Sequence, residues 1–500
     1  MSYVIGIDLG INGVKAILVD RGGIVHQSLS LSYPLLQEKT DQCEQDPEQW
    51  YRMTKKVIAK LVKNFDRDAK EIVGISFSGT MHGMVLLDKN LDVLRNMILS
   101  SDTRTTQQCL EIYDRMSEDN LGESTRNLAL EGFTLPQLLW VKEHEPQIFE
   151  KIYRFLLPKD YLRFRITGNI HTEYSDAAGT LLLDIENKKW NDKIYEAFGI
   201  RKDICPTLVE SHTLCGTVTT EFAKKTGLSP FTKVFAGGAD HACSAIGAGI
   251  LSKGKTLCRI GTSGVMLSYE EQTNKDNKGK VHYFNHGKEN AYYSMGVTHS
   301  AGHSLKWIQQ VFAKDESILS LLEGLEHIPP GANGLLFTPY LQGERLSHAD
   351  EIIRASFIGM NTTHTKKHFV RAVLEGITFS LKESLDILRD NHPDKTPIIS
   401  IGDGAKSDVW LQMQADIFDT NVVKLAHEQG PALGAAILAA YGCGWYDSLQ
   451  ECSRVFIAYE KSYKPNPDRV QKYAILYDLY NKVHGQTVGI NEELVEFCDG

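Results

Sequence analysis

Apolar runs of strand length alternate with stretches of helical spacing along most of the chain. YVIGID and VKAILVD lie either side of a short glycine-bearing turn, which predicts a hairpin. DPEQWYRMTKKVIAKLVKNF places Trp50, Met53, Val57 and Leu61 at helical steps, and EIVGISFSG then reads as a buried strand. The second half has its own set. TLCRIGTSGVMLSY predicts another hairpin. HFVRAVLEGITFSLKESLDILRD predicts a long amphipathic helix through Phe369, Val373, Ile377, Leu381, Leu385 and Leu388. PIISIGDGAKS reads as a strand entering a glycine turn, with DVWLQMQADIF as the following helix. This alternation predicts an α/β fold.

The two hairpins can be superposed as text. DLGINGVKAIL begins at Asp8 and RIGTSGVMLSY at Arg259, and both carry Gly-x-x-Gly-Val at a constant offset. The match predicts two similar halves, residues 1–249 and 250–500, with the boundary in GAGILSKGKT. No Pro/Ser-rich linker separates them, so a cleft between closely apposed halves is expected.

Composition narrows the function. Hydrophobic residues make up 42% and charged residues 23%, ordinary for a globular protein. A net charge of −9 argues against a broad nucleic-acid surface. Nine scattered cysteines without a C-x-x-C motif argue against a disulfide framework or zinc site and favour a reduced, cytoplasmic setting. MSYVIGIDLG reads as a strand rather than a signal peptide, and no apolar run approaches the ~18 residues of a membrane span. GPALGAAILAAYG reads as a packed helix.

Four glycine turns, DLGING, GGAD, RIGTSG and IGDGAKS, each follow a predicted strand. Each alone can be an ordinary tight turn; together they suggest backbone N–H groups gathered around phosphates. A P-loop is absent, and GDGAKS lacks the third glycine of a dinucleotide fingerprint. Asp8 ends the first strand, and Asp240 opens a predicted helix, where an acid is an ordinary N-cap. Two carboxylates among phosphate-type loops also suit magnesium-dependent phosphoryl transfer, one near the metal and one receiving a hydroxyl proton. His82 can be structural, and Asp102 and Arg104 can pair on the surface.

The ordered series GIDLGINGVKAILVD, SGTMHGMVLLD, EGFTLPQLLWVKEHEP, LPKDYLRFRITG, YSDAAGTLLLD, GGADHACSAIGAG, IGTSGVML, SAGHSLKWI, GLLFTPYLQGER, VLEGITFSL, GDGAKSDVWLQMQADI and GPALGAA resembles the FGGY family of carbohydrate kinases along nearly the whole chain. The resemblance implies an actin-like, ribonuclease-H-like α/β fold with two similar domains around a central cleft. It implies ATP, Mg2+ and a ketopentose acceptor, with the O5 hydroxyl of D-xylulose as the first choice. Another ketose or polyol, such as ribulose, or a weakly active sugar- and nucleotide-binding relative, is the alternative. Asp240 matches the catalytic base. Met81, His82, Asp102, Asp240 and His241 fall on the sugar side. Gly10, Asn12, Lys15, Gly261, Thr262, Ser263, Gly302, Gly402, Gly404 and Ser407 fall on the nucleotide side, and Asp8 near the metal. A homodimer is also implied, with neither nucleic acid nor membrane as partner. The chain departs from the family pattern at Ile11, Thr80, Ser100, Ser101, Gln137, His241 and Asp403.

Overall fold

The computed structural model describes residues 2–39, 42–272, 279–344, 352–390 and 395–499. In the first half, β1 (Tyr3–Gly10), β2 (Gly13–Asp20) and β3 (Val25–Ser32) form an antiparallel meander. Helix α1 (Pro47–Lys63) starts where the Asp46 side chain accepts from the Glu48 N–H and Pro47 presets the first turn. Strand β4 (Ile72–Gly79) then lies parallel to β1. After α2 (Pro158–Thr167) come β5 (Leu214–Thr217), β6 (Lys233–Phe235), the short β7 (Gly238–Ala239) and α3 (Asp240–Gly247). The sheet order is β5-β6-β4-β1-β2-β3, with β7 also paired to β4.

The second half repeats this plan. It contains β8 (Thr256–Ile260), β9 (Gly264–Glu270), β10 (His282–Asn285), β11 (Tyr292–Thr298), α4 (Gly302–Phe312) and α5 (Lys366–Leu388). These are followed by β12 (Ile398–Gly402), α6 (Asp408–Phe418), β13 (Val422–Leu425), α7 (Pro431–Gly442), β14 (Tyr459–Tyr463) and α8 (Pro467–Asp499). The order β14-β13-β12-β8-β9-β11-β10 matches the first sheet strand for strand from β14 to β11. In each, a hairpin strand pairs in parallel with the strand that follows the long helix: β1 with β4, β8 with β12. The outermost strand is antiparallel in both. The five-position text match therefore marks a duplicated fold.

Side chains alternate across each sheet. Tyr3, Ile5, Ile7 and Leu9 pack with Trp50, Val57, Ile58 and Leu61 of α1, whereas Val4 belongs to the core between the halves. Gly6 and Asp8 share that inner face with Val4. In the second sheet, Cys258 and Ile260 pack beside Trp410 and Ile377, while Leu257 enters the shared core and Arg259 lies on its face. Asp8 and Arg259, equivalent under the duplication, therefore both look inward.

The shared core is built around α3 and α7. A Cβ at Gly434 of α7 would overlap the Cys243 carbonyl oxygen of α3, and one at Gly6 would overlap the Ala432 carbonyl oxygen. Close approach thus demands glycine at both positions. Helix α7 belongs to the second half by sequence, yet it packs on β1, β4 and β2 of the first.

All nine cysteines are unpaired. Among the described residues, no helix is long and apolar enough to cross a membrane.

Candidate active site

Sheet register brings the two acids together. β4 is flanked by β1 and β7, with Asp8 opposite Ser78 and Gly238 opposite the same Ser78. At about 4.8 Å per strand spacing, the backbones at Asp8 and Gly238 lie roughly 10 Å apart. Asp240 follows two residues on. Both carboxylates line one cavity of about 1000 Å3 between the halves, with Gly10, Ile11 and Asn12 from the first hairpin tip and Gly261, Thr262 and Ser263 from the second. Ligand pockets usually run to about 300–1000 Å3, so this one has room for more than a small sugar.

Asp8 is pushed up to about 6, first by burial and next by the charge of Asp240, with Ser78, Arg259 and Lys15 pulling partly back. Burial lowers Lys15, whose Nζ donates to the Gln429 carbonyl at 3.0 Å in the loop leading to α7. Asp240 is the first residue of α3. The cap position is taken by Ala239, which makes no side-chain cap bond, so the N-cap expected at Asp240 is not formed. Instead, Asp240 Oδ1 accepts from the next N–H, that of His241, at 2.9 Å. Burial lowers His241, with the neighbouring Asp240 opposing and Arg259 adding to it.

At the other end of the cavity stand Thr80, Met81, His82, Ser100, Ser101 and Phe133. His82 has φ +77°, a left-handed conformation costly for a side chain with Cβ, and such strain clusters at functional positions. Its ring packs on Phe133 at 4.1 Å between centroids, and its Nδ1 lies 2.7 Å from the Gly179 carbonyl oxygen. That carbonyl can only accept, so Nδ1 carries a proton. Gln137, where the family pattern has Lys, is buried and donates to the Leu99 and Gly132 carbonyls at 3.3 and 2.8 Å. It ties together the two loops that present Ser100, Ser101 and Phe133.

Other expected site residues lie off the cavity wall. The Asp102 carboxylate turns away, pairing with Arg104 at 2.7 Å and accepting the Cys43 N–H at 2.7 Å. The pair expected on the surface is therefore formed but buried, while Ser101 and Thr103 on either side face the cavity. Gly302 lies beneath the second hairpin tip: its N–H donates to the Gly261 carbonyl at 2.9 Å, and that of His303 to Thr262 at 3.1 Å. Gly402 sits beside that tip in register with Ile260, at φ +84°. Its N–H donates to Glu428 at 2.9 Å. Gly404 packs on the Ile260 side chain, and the Ser407 hydroxyl caps α6 by accepting the Trp410 N–H at 3.4 Å. Asp403, whose added charge departs from the pattern, is exposed and paired with Lys406 at 2.7 Å.

Arg259, Phe133, Glu131, His282 and His299 also line the cavity and were not among the expected site residues. Only Arg259 carried a signal: it occupies the position of Asp8 in the duplicated hairpin. His282 reaches the His82 end of the cavity from the second half, where Asn127 grips its strand. The Asn127 amide donates to the Tyr283 carbonyl at 2.7 Å and accepts the Tyr283 N–H at 3.1 Å.

A two-lobed α/β scaffold with paired glycine hairpins and two acids facing one gap is the arrangement of a phosphotransferase of the actin-like ATPase fold. Residues 3–247 match the N-terminal domain of the FGGY family of carbohydrate kinases, and residues 256–443 match its C-terminal domain. The chain belongs to that family. It is 57% identical over 497 residues to the xylulose kinase of Bacillus subtilis strain 168, covering 99% of each. The crystal structure of a ligand-bound xylulose kinase from Lactobacillus acidophilus is similar, with a TM-score of 0.92, 28% identity, and 99% and 100% of the two chains covered. A gluconate kinase from Lactobacillus acidophilus has the same TM-score of 0.92 and 28% identity, covering 99% of each chain. Backbone likeness alone therefore does not select the acceptor.

Proposed function

We propose that the protein transfers the γ-phosphoryl group of ATP to the O5 hydroxyl of D-xylulose, giving D-xylulose 5-phosphate and ADP. The observation that carries this is the convergence of Asp8, Asp240 and both hairpin tips on one cavity. The high identity to a xylulose kinase over the whole chain favours the ketopentose.

In this reading the sugar lies between Met81, His82, Ser101 and Phe133, with the His82 Nε2 hydrogen-bonded to a hydroxyl. Asp240 takes the proton of the attacking hydroxyl as its oxygen bonds to phosphorus and the bond to the leaving ADP breaks. The proton then passes to solvent. Gly10, Asn12, Gly261, Thr262 and Ser263 hold phosphate oxygens, with Lys15 behind them. Gly402 and Gly404 shape the turn beside the nucleotide, and Asp102 sets the loop of Ser101. Phosphoryl transfer is governed by positioning and charge neutralisation, which these groups supply.

Among the described residues no cluster of three acids, histidines or cysteines forms a self-contained metal site. Magnesium bound through phosphates needs only one or two carboxylates. The repulsion between Asp8 and Asp240 is what a cation would relieve, so Asp8 fits that role. When bound, magnesium adds charge neutralisation at the phosphates. The unpaired cysteines and the need for ATP fit a cytoplasmic enzyme.

A homodimer through α8 is part of the same proposal. Ile475, Leu479, Ile490, Leu494 and Phe497 are exposed along one flank of that helix. The first half of the helix mixes Asp468, Arg469, Lys472, Asp478 and Lys482, so the apolar flank rather than charge carries the pairing. Sedimentation velocity should show a dimer that Leu479→Glu with Ile490→Glu dissociates; a monomeric parent protein would refute it.

The acceptor is tested by coupled ADP release across ketopentoses, ketohexoses, polyols and gluconate. D-Xylulose should give the highest kcat/KM. A tenfold preference for another acceptor would overturn the assignment.

A further inference from the structure

Beneath the cavity lies a fully buried ionic cluster. Lys159 Nζ is 2.8 Å from Asp160, 3.0 Å from Asp176 and 3.3 Å from Glu173, and Arg163 pairs with Asp160 at 2.6 Å; none of the five side chains is exposed. Asp176 is pushed up by burial, with Asp160 and Glu173 adding to it and the Lys159 ammonium opposing. Burying such a cluster is costly, so its ion pairs alone are a weak argument for stability.

Its output is directional. The Glu173 carboxylate accepts the N–H groups of Ser175 and Asp176 at 2.8 and 2.9 Å and the Ser211 hydroxyl at 2.8 Å. It also takes the single hydroxyl proton of Ser175 at 2.9 Å. With that proton committed, the Ser175 oxygen can only accept, and it accepts the N–H of Ala239 at 3.0 Å. Ala239 is the residue before Asp240 and the cap position of α3. The same short segment ends at Gly179, whose carbonyl holds His82. A Cβ at Gly179 would come within 2.8 Å of Met81 Cε and 3.0 Å of His82 Nδ1.

We propose that residues 173–180 form the alignment element of the active site, with Ser175 the positioning residue that fixes the start of α3 and so aims the Asp240 carboxylate. Ser175 touches no reacting atom. It acts through Ala239, while Gly179 fixes the sugar-side histidine from the same rigid turn. Misplacing a catalytic group by a fraction of an ångström is enough to lower turnover strongly. This rests on Asp240 being the base.

The test is a set of steady-state measurements with D-xylulose and ATP on the full chain, each variant assayed well below its melting temperature. Ser175→Ala should lower kcat at least tenfold, leave the KM for ATP within twofold, and shift the acid limb of the kcat/KM pH profile. Ser211→Ala removes the other hydroxyl from Glu173 while keeping the Ser211 carbonyl that accepts the Gly237 N–H, so it should cost similar thermal stability and keep kcat within twofold. A Ser175→Ala kcat within threefold of the parent, or an equal loss in Ser211→Ala, would overturn the proposal. If Ser175→Ala does not fold, Ser175→Cys replaces it: the weaker sulfur acceptor should still lower kcat, and unchanged kcat refutes the role. Asp240→Asn in the same series separates the two layers. An active Asp240→Asn removes the base assignment, whereas a dead Asp240→Asn beside a normal Ser175→Ala removes only the alignment role.

Discussion

Replacing Asp8 with Asn should stabilise the ligand-free protein while abolishing its turnover, and the structure gives the size of the effect. Asp8 rises from 3.8 to about 6, with burial the largest cause and Asp240 the second. At about 1.4 kcal/mol per pH unit, ionising it in the folded state costs about 3 kcal/mol. Because the folded protein holds this proton more tightly than the unfolded chain, stability is lost as pH rises from 3.8 through 6, and the full penalty is present above that. Asn keeps the shape and removes the charge. The variant should therefore gain about 3 kcal/mol at pH 8 and nothing at pH 3.5. With an unfolding entropy of about 2.1 cal/mol/K per residue over 500 residues, that is a rise in Tm of about 3 °C if both lobes melt together, and about 6 °C if the first melts alone. Scanning calorimetry in EDTA, without nucleotide, at both pH values reads it directly. A variant no more stable than its parent at pH 8, or one that gains equally at pH 3.5, would refute the reasoning. Adding magnesium and ATP should reverse the order, since only the parent keeps the carboxylate at position 8.

Asp240→Asn should lower kcat by about 10²–10⁴ while the KM for the sugar changes only a few-fold, as expected for loss of a general base; near-normal turnover would exclude Asp240 from proton transfer. Gly402→Ala forces a Cβ onto the Ile260 carbonyl oxygen at φ +84°, so the KM for ATP should rise at least tenfold with the sugar KM unchanged. Gly434→Ala drives α3 and α7 apart and should cost about 1–3 kcal/mol in thermal or urea unfolding.

How much of this was legible in the sequence depends on the range of the interactions. The predicted helix in DPEQWYRMTKKVIAKLVKNF is α1, and the long amphipathic stretch is α5, because local periodicity and capping decide both. The two hairpins were readable as text because glycines at a fixed offset are required by the turns themselves. Asp240 stood out for the same reason, although its expected cap is displaced by one residue. Asp102 was readable as a partner for Arg104, two residues on, but not as buried: its hold on the Cys43 N–H spans 59 positions. The hold of Ser175 on Ala239 spans 64 positions and leaves no periodic trace. Nor does any pattern in GPALGAAILAAYG reveal which lobe its helix covers.

That last helix has a consequence for how the protein is made. One face of the first sheet is closed by α1 and α2, the other by residues 431–442. A nascent chain that has left the ribosome only as far as residue 249 presents Val4, Ile17, Val19 and Phe235 without the helix that completes the core around them. The amino-terminal half must wait, sticky and unfinished, until nearly two hundred further residues have been synthesised, and a gene split at the duplication boundary yields two fragments that mature only in each other's company.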